Sequence, residues 1–367
     1  MGLFGSKKKS YLGIDFGSGG IKLVELKSEK GRAKLFTYAF TERMPGAEPL
    51  NLVDAPEEAA DLLKKMLAKA KVTTSRAITG LPVASVFSSV VTVPRGNEKE
   101  INDAARWQAK KLIPVPLDEM QLDFKPINGY GKKAKKEKKT GGKGKGDEEK
   151  KTVQVLITGA SKAMIEKYIK VFGRTGLDLA SLETETLALI RSLVGKDRST
   201  TMLVDIGASR TNIIIVENGI PYVTRSVDMG GVSLTRAMAK TLSMDLKGAE
   251  EMKTDIKSVS TLYPGEGMPK IFEKTMAPMV TELQYSINLY TGQAAEGEEK
   301  GVEKIILTGG TAALPALAGY FSGQLNMKVY VGDPWARVAY PGDLRPVLDE
   351  IGTRFSVAVG LAMSEME

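Results

Sequence analysis

Apolar positions along this chain follow two rhythms, and the points where one gives way to the other predict its elements. Residues 12–26, LGIDFGSGGIKLVEL, run as an apolar strand into Asp-x-Gly, cross a turn of small residues and resume with β-branched and apolar residues. Residues 203–216, LVDIGASRTNIIIV, repeat that arrangement about half the chain later. Both read as strand, Gly-rich turn, strand. A P-loop or a dinucleotide fingerprint places a helix after its glycines, so the cradle expected here is a hairpin. The near-repeat, with Asp15 and Asp205 in equivalent places, predicts two related lobes facing one ligand.

The pattern between and beyond the hairpins fills in the rest. Residues 31–40 continue as strand, and residues 56–71 carry Ala60, Leu63, Met66 and Leu67 at helical spacing, with Pro56 in the first turn. RAITGLPVASVFSSVVTVP predicts two strands broken at Leu81-Pro82, and residues 98–113 a helix whose apolar side is Ile101, Ala104, Ala105, Trp107 and Leu112, so that Trp107 is expected in the core. Two strands, MQLDFKPI and TVQVLITGAS, and a helix at 162–174 complete a compact α+β insertion between about Leu81 and Leu182. The second hairpin opens another lobe at Thr201. Its third strand passes through Gly230-Gly231 into a helix, LKGAEEMKTDI extends the helical region, and a polar stretch, SVSTLYPGEGMPK, precedes a longer helix in which Pro278 predicts a kink or break near Ala277. Last comes KIILTGGTAALPALAGYF, a strand that meets Gly309-Gly310 and turns into a helix with Thr311 as its expected cap.

Composition narrows the chemistry. The 367 residues include no cysteine and no histidine, which excludes disulfides, thiolate metal sites and Cys or His nucleophiles. Any general base must be a carboxylate or a positioned water, while an Asp-bound Mg²⁺ stays open because hard cations take oxygen ligands. The formal charge of +8 comes mostly from residues 131–151, where ten lysines face four acidic residues. That run has almost nothing to bury and is expected to be a solvated, disordered loop. No aromatic residue interleaves it, so nucleic acid is not an expected partner. The chain has no apolar run of the roughly 18 residues that span a bilayer and no secretory h-region. Residues 1–10 read as a flexible basic arm.

In order and spacing, the two Asp-x-Gly hairpins, the late Gly-Gly junction and a closing small-residue helix at 355–363 resemble the actin-like ATPase superfamily over most of the chain. The resemblance implies an α/β, ribonuclease H-like, two-lobed ATPase fold. Within it, the α+β insertion resembles the 1C subdomain of the branch that holds the FtsA and PilM families, and ETLALIRSL, DMGGVSLT and AEEMK match that branch's connecting and ribose-side motifs. A basic leader running into LGID with a following lysine, as in MGLFGSKKKSYLGIDFGSGGIK, is similar to the type IV pilus assembly PilM family in particular. FtsA proteins usually carry a basic membrane helix beyond the closing helix, whereas this sequence ends at Glu367. The lysine run departs from the family's usual compact insertion. The implied division is lobe 1 (1A) at 11–81 and 182–200, completed by 345–367; 1C at 82–181; lobe 2 (2A) at 201–245 and 300–344; and 2B at 246–299.

The site follows from both kinds of reading. Backbone N–H groups of Gly17, Ser18, Gly19 and Gly20 and of Gly207, Ala208, Ser209, Arg210 and Thr211 would clamp the β- and γ-phosphates of ATP or ADP, with the Ser18, Ser209 and Thr211 hydroxyls as further donors. Asp15 and Asp205 would hold Mg²⁺ through water. Lys22 or Arg210 would offset phosphate charge, although an alternating strand also suits Lys22 as a surface residue. The resemblance places Gly309, Gly310 and Thr311 beside the adenosine and Gly230, Gly231, Glu250 and Lys253 on the ribose side; a solvated helix face is the other reading of Glu250 and Lys253. Glu185 lies where relatives carry a residue that orients the attacking water, with Glu183 as its rival, and weak or absent hydrolysis is expected. The implied role is a cytoplasmic ATP-binding adaptor at the inner membrane. It would dock the N-terminal tail of PilN, reach PilO and PilP indirectly, link to a motor ATPase or platform protein, assemble as a homo-oligomeric ring and support twitching motility. A filament protein like MreB and a small-molecule kinase are the alternatives.

Overall fold

The computed structural model describes residues 10–127, 152–254, 270–294, 299–314 and 316–366. The expected lysine loop, nearly all of the basic arm and most of the polar stretch before the long helix lie outside these residues. In chain order, β1 (Ser10–Gly17), β2 (Gly20–Glu29) and β3 (Arg32–Phe40) form an antiparallel meander. Helix α1 (Pro56–Lys69) then crosses to β4 (Arg76–Leu81), which lies parallel to β1. The insertion follows as β5 (Val86–Pro94), α2 (Glu98–Leu112), β6 (Met120–Pro126), β7 (Thr152–Ser161) and α3 (Lys162–Gly173). The chain re-enters the first sheet as β8 (Asp178–Thr184) and leaves it through the short helix α4 (Glu185–Leu189).

The second lobe repeats the plan. Strands β9 (Thr201–Ile206), β10 (Thr211–Glu217) and β11 (Ile220–Val227) form another antiparallel meander, followed by α5 (Gly231–Leu242), α6 (Leu246–Thr254) and α7 (Lys270–Thr291). Strand β12 (Lys304–Thr308) then lies parallel to β9, and α8 (Leu317–Leu325) connects it to the parallel β13 (Val329–Val331). Strand β14 (Val338–Ala339), α9 (Arg345–Ile351) and α10 (Ser356–Ala362) close the chain. The sheets read β14-β3-β2-β1-β4-β8, β11-β10-β9-β12-β13 and β5-β7-β6. In both large sheets the Asp-x-Gly strand is internal, with its hairpin partner antiparallel on one side and a parallel strand on the other. Burial on both faces explains why residues 11–16 and 201–204 are almost continuously buried instead of alternating.

Close packing of the last helix fixes β1. A Cβ at Gly13 would overlap the Ala358 carbonyl oxygen and stand 2.6 Å from the Ala362 nitrogen, and a Cβ at Gly360 would overlap the Ala188 carbonyl. Bare backbone at these two points lets α10 lie directly on β1 and α4, the elements that carry Asp15 and Glu185.

Three local expectations are corrected. Trp107 is 58% exposed. Ile101, Ala105 and Ala109 form the seam of α2 against Val93, Val153, Val155 and Ile157, and Trp107, two residues from each alanine, falls on the opposite side of the helix; Leu112, in the last turn, is also exposed. Pro278 sits inside an unbroken α7, because Ala277 and Pro278 face solvent while Met276 and Met279 are buried, so water can satisfy the carbonyl that loses its donor. Thr311 does not cap a helix. It lies in a 3₁₀ turn, Gly310–Ala313, entered through Gly309 at φ +86°, and α8 starts only after Ala316.

Gly13→Ala is expected to destabilise the protein by about 1–3 kcal/mol through overpacking against α10. Gly173→Ala, which meets nothing within 4 Å, is expected to stay within about 0.5 kcal/mol. Urea unfolding of both variants compares them directly.

Candidate functional site

A cleft of about 940 Å³ opens where the two hairpins face each other. Asp15 stands near the end of β1 and Asp205 near that of β9, and each sits opposite a polar residue of its hairpin partner: Lys22 is the register partner of Asp15 and Asn212 that of Asp205. Glu185, at the start of α4, supplies a third carboxylate; its Oε2 accepts from the Val83 N–H at 3.2 Å and from the Asn212 Nδ2 at 3.4 Å. Asn212 Nδ2 also donates to Asp205 Oδ2 at 3.3 Å, while its Oδ1 accepts from Ser226 Oγ at 2.9 Å. The amide thus holds two carboxylates of the cleft in fixed orientation.

The electrostatics are those of acids crowded out of water. Burial raises the Asp15 pKa, with Lys22 partly compensating. Burial and the neighbouring Asp15 push Asp205 up to about 6. Glu185 is raised well above the usual carboxylate range, by burial first and then by Asp15 and Asp205. The Lys22 cation lowers all three and donates to the Gly20 carbonyl at 3.1 Å. It therefore belongs to the cleft and is not a surface residue.

The hairpin tips meet, with Ser209 Oγ donating to Ser18 Oγ at 2.8 Å across the cleft. Gly17, Ser18, Gly19, Gly207, Ala208, Ser209 and Arg210 all line it, and Arg210 pairs with Asp228 at 2.6 Å. Gly20 and Thr211 do not line it: Gly20 sits at φ +127° beneath Thr41, and the Thr211 hydroxyl donates inward to the Met229 carbonyl at 2.7 Å. The Gly207 N–H is taken by the Arg210 carbonyl within the turn. Gly230 and Gly231 underpin the second hairpin: the N–H groups of Gly231 and Val232 donate to the carbonyls of Gly207 and Ala208 at 2.9 Å, and a Cβ at Gly230 would stand 2.7 Å from both oxygens. Of the pair, only Gly231 reaches the cleft.

Glu250 and Lys253 are not a solvated helix face. Lys253 Nζ is buried and donates to the Gly231 carbonyl at 3.0 Å, to Thr235 Oγ1 at 2.8 Å and to Glu250 at 3.0 Å; Glu250 also accepts from Thr235 and pairs with Arg43 at 3.5 Å. Burial pushes the Glu250 carboxyl up, but Lys253, Thr235 and Arg43 outweigh it and hold the pKa below its ordinary value. Burial lowers Lys253 despite Glu250. Gly309, Gly310 and Thr311 line the wall beside this group. Glu183 stands apart from the cleft, bound to Arg191 at 3.0 Å, and the same guanidinium donates to the Gly360 carbonyl at 2.7 Å. A segment after β3 straps the two lobes: besides Arg43 to Glu250, Glu48 pairs with Arg236 of α5 at 2.7 Å, while Glu42 ties the segment to Arg354 within the first lobe.

Sequence reasoning missed Asn212, Arg43 and Arg354. Asn212 had a signal, since it stands at the same offset from Asp205 as Lys22 does from Asp15. The two arginines had none.

A family model described as type IV pilus assembly protein PilM matches residues 13–366. The chain belongs to the PilM family. FtsA of Bacillus subtilis (strain 168) is 24% identical over 271 residues, 67% of this chain and 60% of the FtsA; that of Pseudomonas aeruginosa is 25% identical over 310 residues, 78% and 71% of the two chains. The alignment thus spans less than two thirds of the B. subtilis relative. In structure, the PilM chain resembles one from a PilM–PilN type IV pilus biogenesis complex, with a TM-score of 0.77, 24% identity and coverage of 97% and 98%. It also resembles the ethanolamine utilization protein EutJ from Carboxydothermus hydrogenoformans, with a TM-score of 0.55, 16% identity and coverage of 96% and 89%. These likenesses establish an actin-like two-lobed α/β fold for this PilM family member. Among the described residues, no helix is long and apolar enough to cross a membrane.

Raised carboxylate pKa values fix the sign of the pH dependence. Folded Asp205 keeps its proton up to about pH 6, whereas unfolded it loses it near 3.8. Its contribution to stability is intact below 3.8 and is lost as pH rises through about 6. The ligand-free protein is expected to lose stability across this window, by about 3 kcal/mol from Asp205 alone, and Asp205→Asn is expected to raise the melting temperature at pH 8. Thermal denaturation from pH 4 to 8 checks both outcomes.

Proposed function

We propose that this PilM family member is an ATP-binding adaptor of the type IV pilus machine, located at the cytoplasmic face of the inner membrane, that docks the N-terminal tail of PilN. The observation that carries the reading is the set of three buried carboxylates crowded beside two glycine-rich hairpin tips, with a lysine among them. Buried acids with raised pKa values and oxygen donors suit a hard divalent cation, which would remove the repulsion. Among the described residues no cluster of three or more His, Cys, Asp or Glu side chains is placed to hold a metal directly, which suits Asp15 and Asp205 reaching Mg²⁺ through water. The cation would supply charge neutralisation for a bound polyphosphate.

In this reading Ser18, Gly19, Ala208 and Ser209 grip the phosphates from both lobes, Lys22 faces them, and Glu250, held by Lys253 and Arg43, accepts from the ribose. Gly309 and Gly310 give the base a wall without side chains. Glu185, with two hydrogen bonds fixing one oxygen, orients the attacking water, and hydrolysis in this reading is weak or absent. The nucleotide joins the lobes, and that closure sets the geometry of the neighbouring insertion (1C, 82–181), where the PilN tail docks. The likeness to a PilM–PilN complex supports that partner. A ring of copies, links to PilO, PilP and the motor, and a role in twitching motility belong to the same proposal.

Calorimetry tests the reading. A peptide matching the PilN tail from the same genome is expected to bind at micromolar strength and at least about fivefold more tightly with Mg-ATP. Absence of binding in either state discards the adaptor. Gly310→Phe, at a position whose Cβ meets only Arg354 at 3.8 Å, is expected to fold normally and lose nucleotide binding.

A further inference from the structure

The outer side of α7 is free of charge in a chain where 26% of residues are charged. From Ala277 to Gln293 every exposed position is uncharged, and among them Tyr285 and Leu289 stand 50% and 38% exposed. The inner side is already packed, with Met276, Met279, Leu283 and Tyr290 in the core of the second lobe, so the fold asks nothing of the outer one. A helix face left to water usually carries charged residues. The nearest charges, Glu282 and Arg225, neutralise each other at 2.9 Å. The face is also graded by size. Ala277, Thr281, Tyr285 and Leu289 form one ridge at four-residue spacing, small in its first half and large in its second.

We propose that this face is a self-contact, through which two copies of the chain pair about a two-fold axis crossing the ridge between Thr281 and Tyr285. Antiparallel pairing about that axis sets Ala277 opposite Leu289 and Thr281 opposite Tyr285, so the large half of each ridge meets the small half of the other. The lack of charge selects the occupant. A two-fold contact brings side chains near their own copies, where a charge would meet a like charge, whereas the amides of Gln284 and Asn288 both donate and accept. Lipid headgroups and nucleic acid would select cations, and this face offers none. The same register places Asn288 opposite Pro278. Its Oδ1 accepts from Gln284 Nε2 at 3.4 Å, which leaves Nδ2 as a donor for the Lys274 carbonyl that Pro278 deprives of its helical partner. Such a contact closes at two copies and is distinct from the head-to-tail contact of a ring. It stands apart from nucleotide and PilN binding.

Sedimentation of the full chain without ligand, over a series of concentrations, tests the pairing. A face one helix wide buries less than a standard interface, so a dimer half-formed at a concentration on the order of 10–100 μM is expected. Raising the salt is expected not to weaken it, because added ions screen the repulsion between two chains of formal charge +8. Thr281→Tyr is expected to raise the dissociation constant at least about tenfold by setting tyrosine against tyrosine. Thr281→Tyr with Tyr285→Thr is expected to restore the dimer, since it only exchanges the two sizes. Both positions are exposed, so folding is not at stake. The chain has no cysteine, so Gln284→Cys, beside the axis, is expected to give a disulfide-linked dimer on mild oxidation, and Lys64→Cys, on α1, is not. A monomer at every concentration overturns the proposal and leaves the face to a different partner. Growth beyond two copies overturns it as well, as does a dimer that tolerates Thr281→Tyr, weakens with salt or links equally in Lys64→Cys.

Discussion

Repulsion among Asp15, Asp205 and Glu185 is the constraint around which this molecule is arranged. Asp15 is buried and Asp205 and Glu185 are half-buried, each carries a pKa raised by its removal from water, and together they put an unfavourable cost at the meeting point of two lobes. The cost is sustained because the groups are delivered by elements that cannot give way. β1 and β9 are internal strands, and α4 is held by α10 at a contact too close for a side chain. Lys22, Asn212 and the Val83 N–H then orient and partly neutralise what the backbone has brought together. A protein selected only for stability would place apolar residues at these positions, and the arrangement accords with the proposed nucleotide site.

The two lobes are variations on one plan, and their difference is instructive. The same register position holds a lysine opposite Asp15 and an asparagine opposite Asp205. One hairpin therefore carries its own counter-charge, while the other carries a neutral amide that reaches across to Glu185. The first lobe compensates charge and the second fixes orientation. That division lets a single cation serve three acids.

Much of this was legible in the sequence. The paired Asp-x-Gly motifs gave the sheets and their central strands, because alternation and glycine placement are local properties, and Gly309-Gly310 marked the third wall. What escaped was set by packing at a distance. Trp107 looked like core because it is large and apolar; the seam that packs is the one of smaller residues, Ile101, Ala105 and Ala109, and it leaves Trp107 on the opposite side of the helix. Pro278 looked like a break because its lost donor counts against a helix, yet its solvent-facing side removes most of that cost. Gly230, Gly231 and Thr211 lie within the right motif, but their backbone and hydroxyl groups are spent on supporting the second hairpin. Arg43 and Arg354 reach the cleft from segments with no pattern of their own.

The strap after β3 answers to the medium around it. Its inner tie, Arg43 to Glu250, is shielded from water, but its outer tie, Glu48 to Arg236, stands open to solvent, where ions compete for both partners. The hold of the strap on the second lobe is thereby tied to ionic strength through its outer contact, while its inner contact is insulated from it.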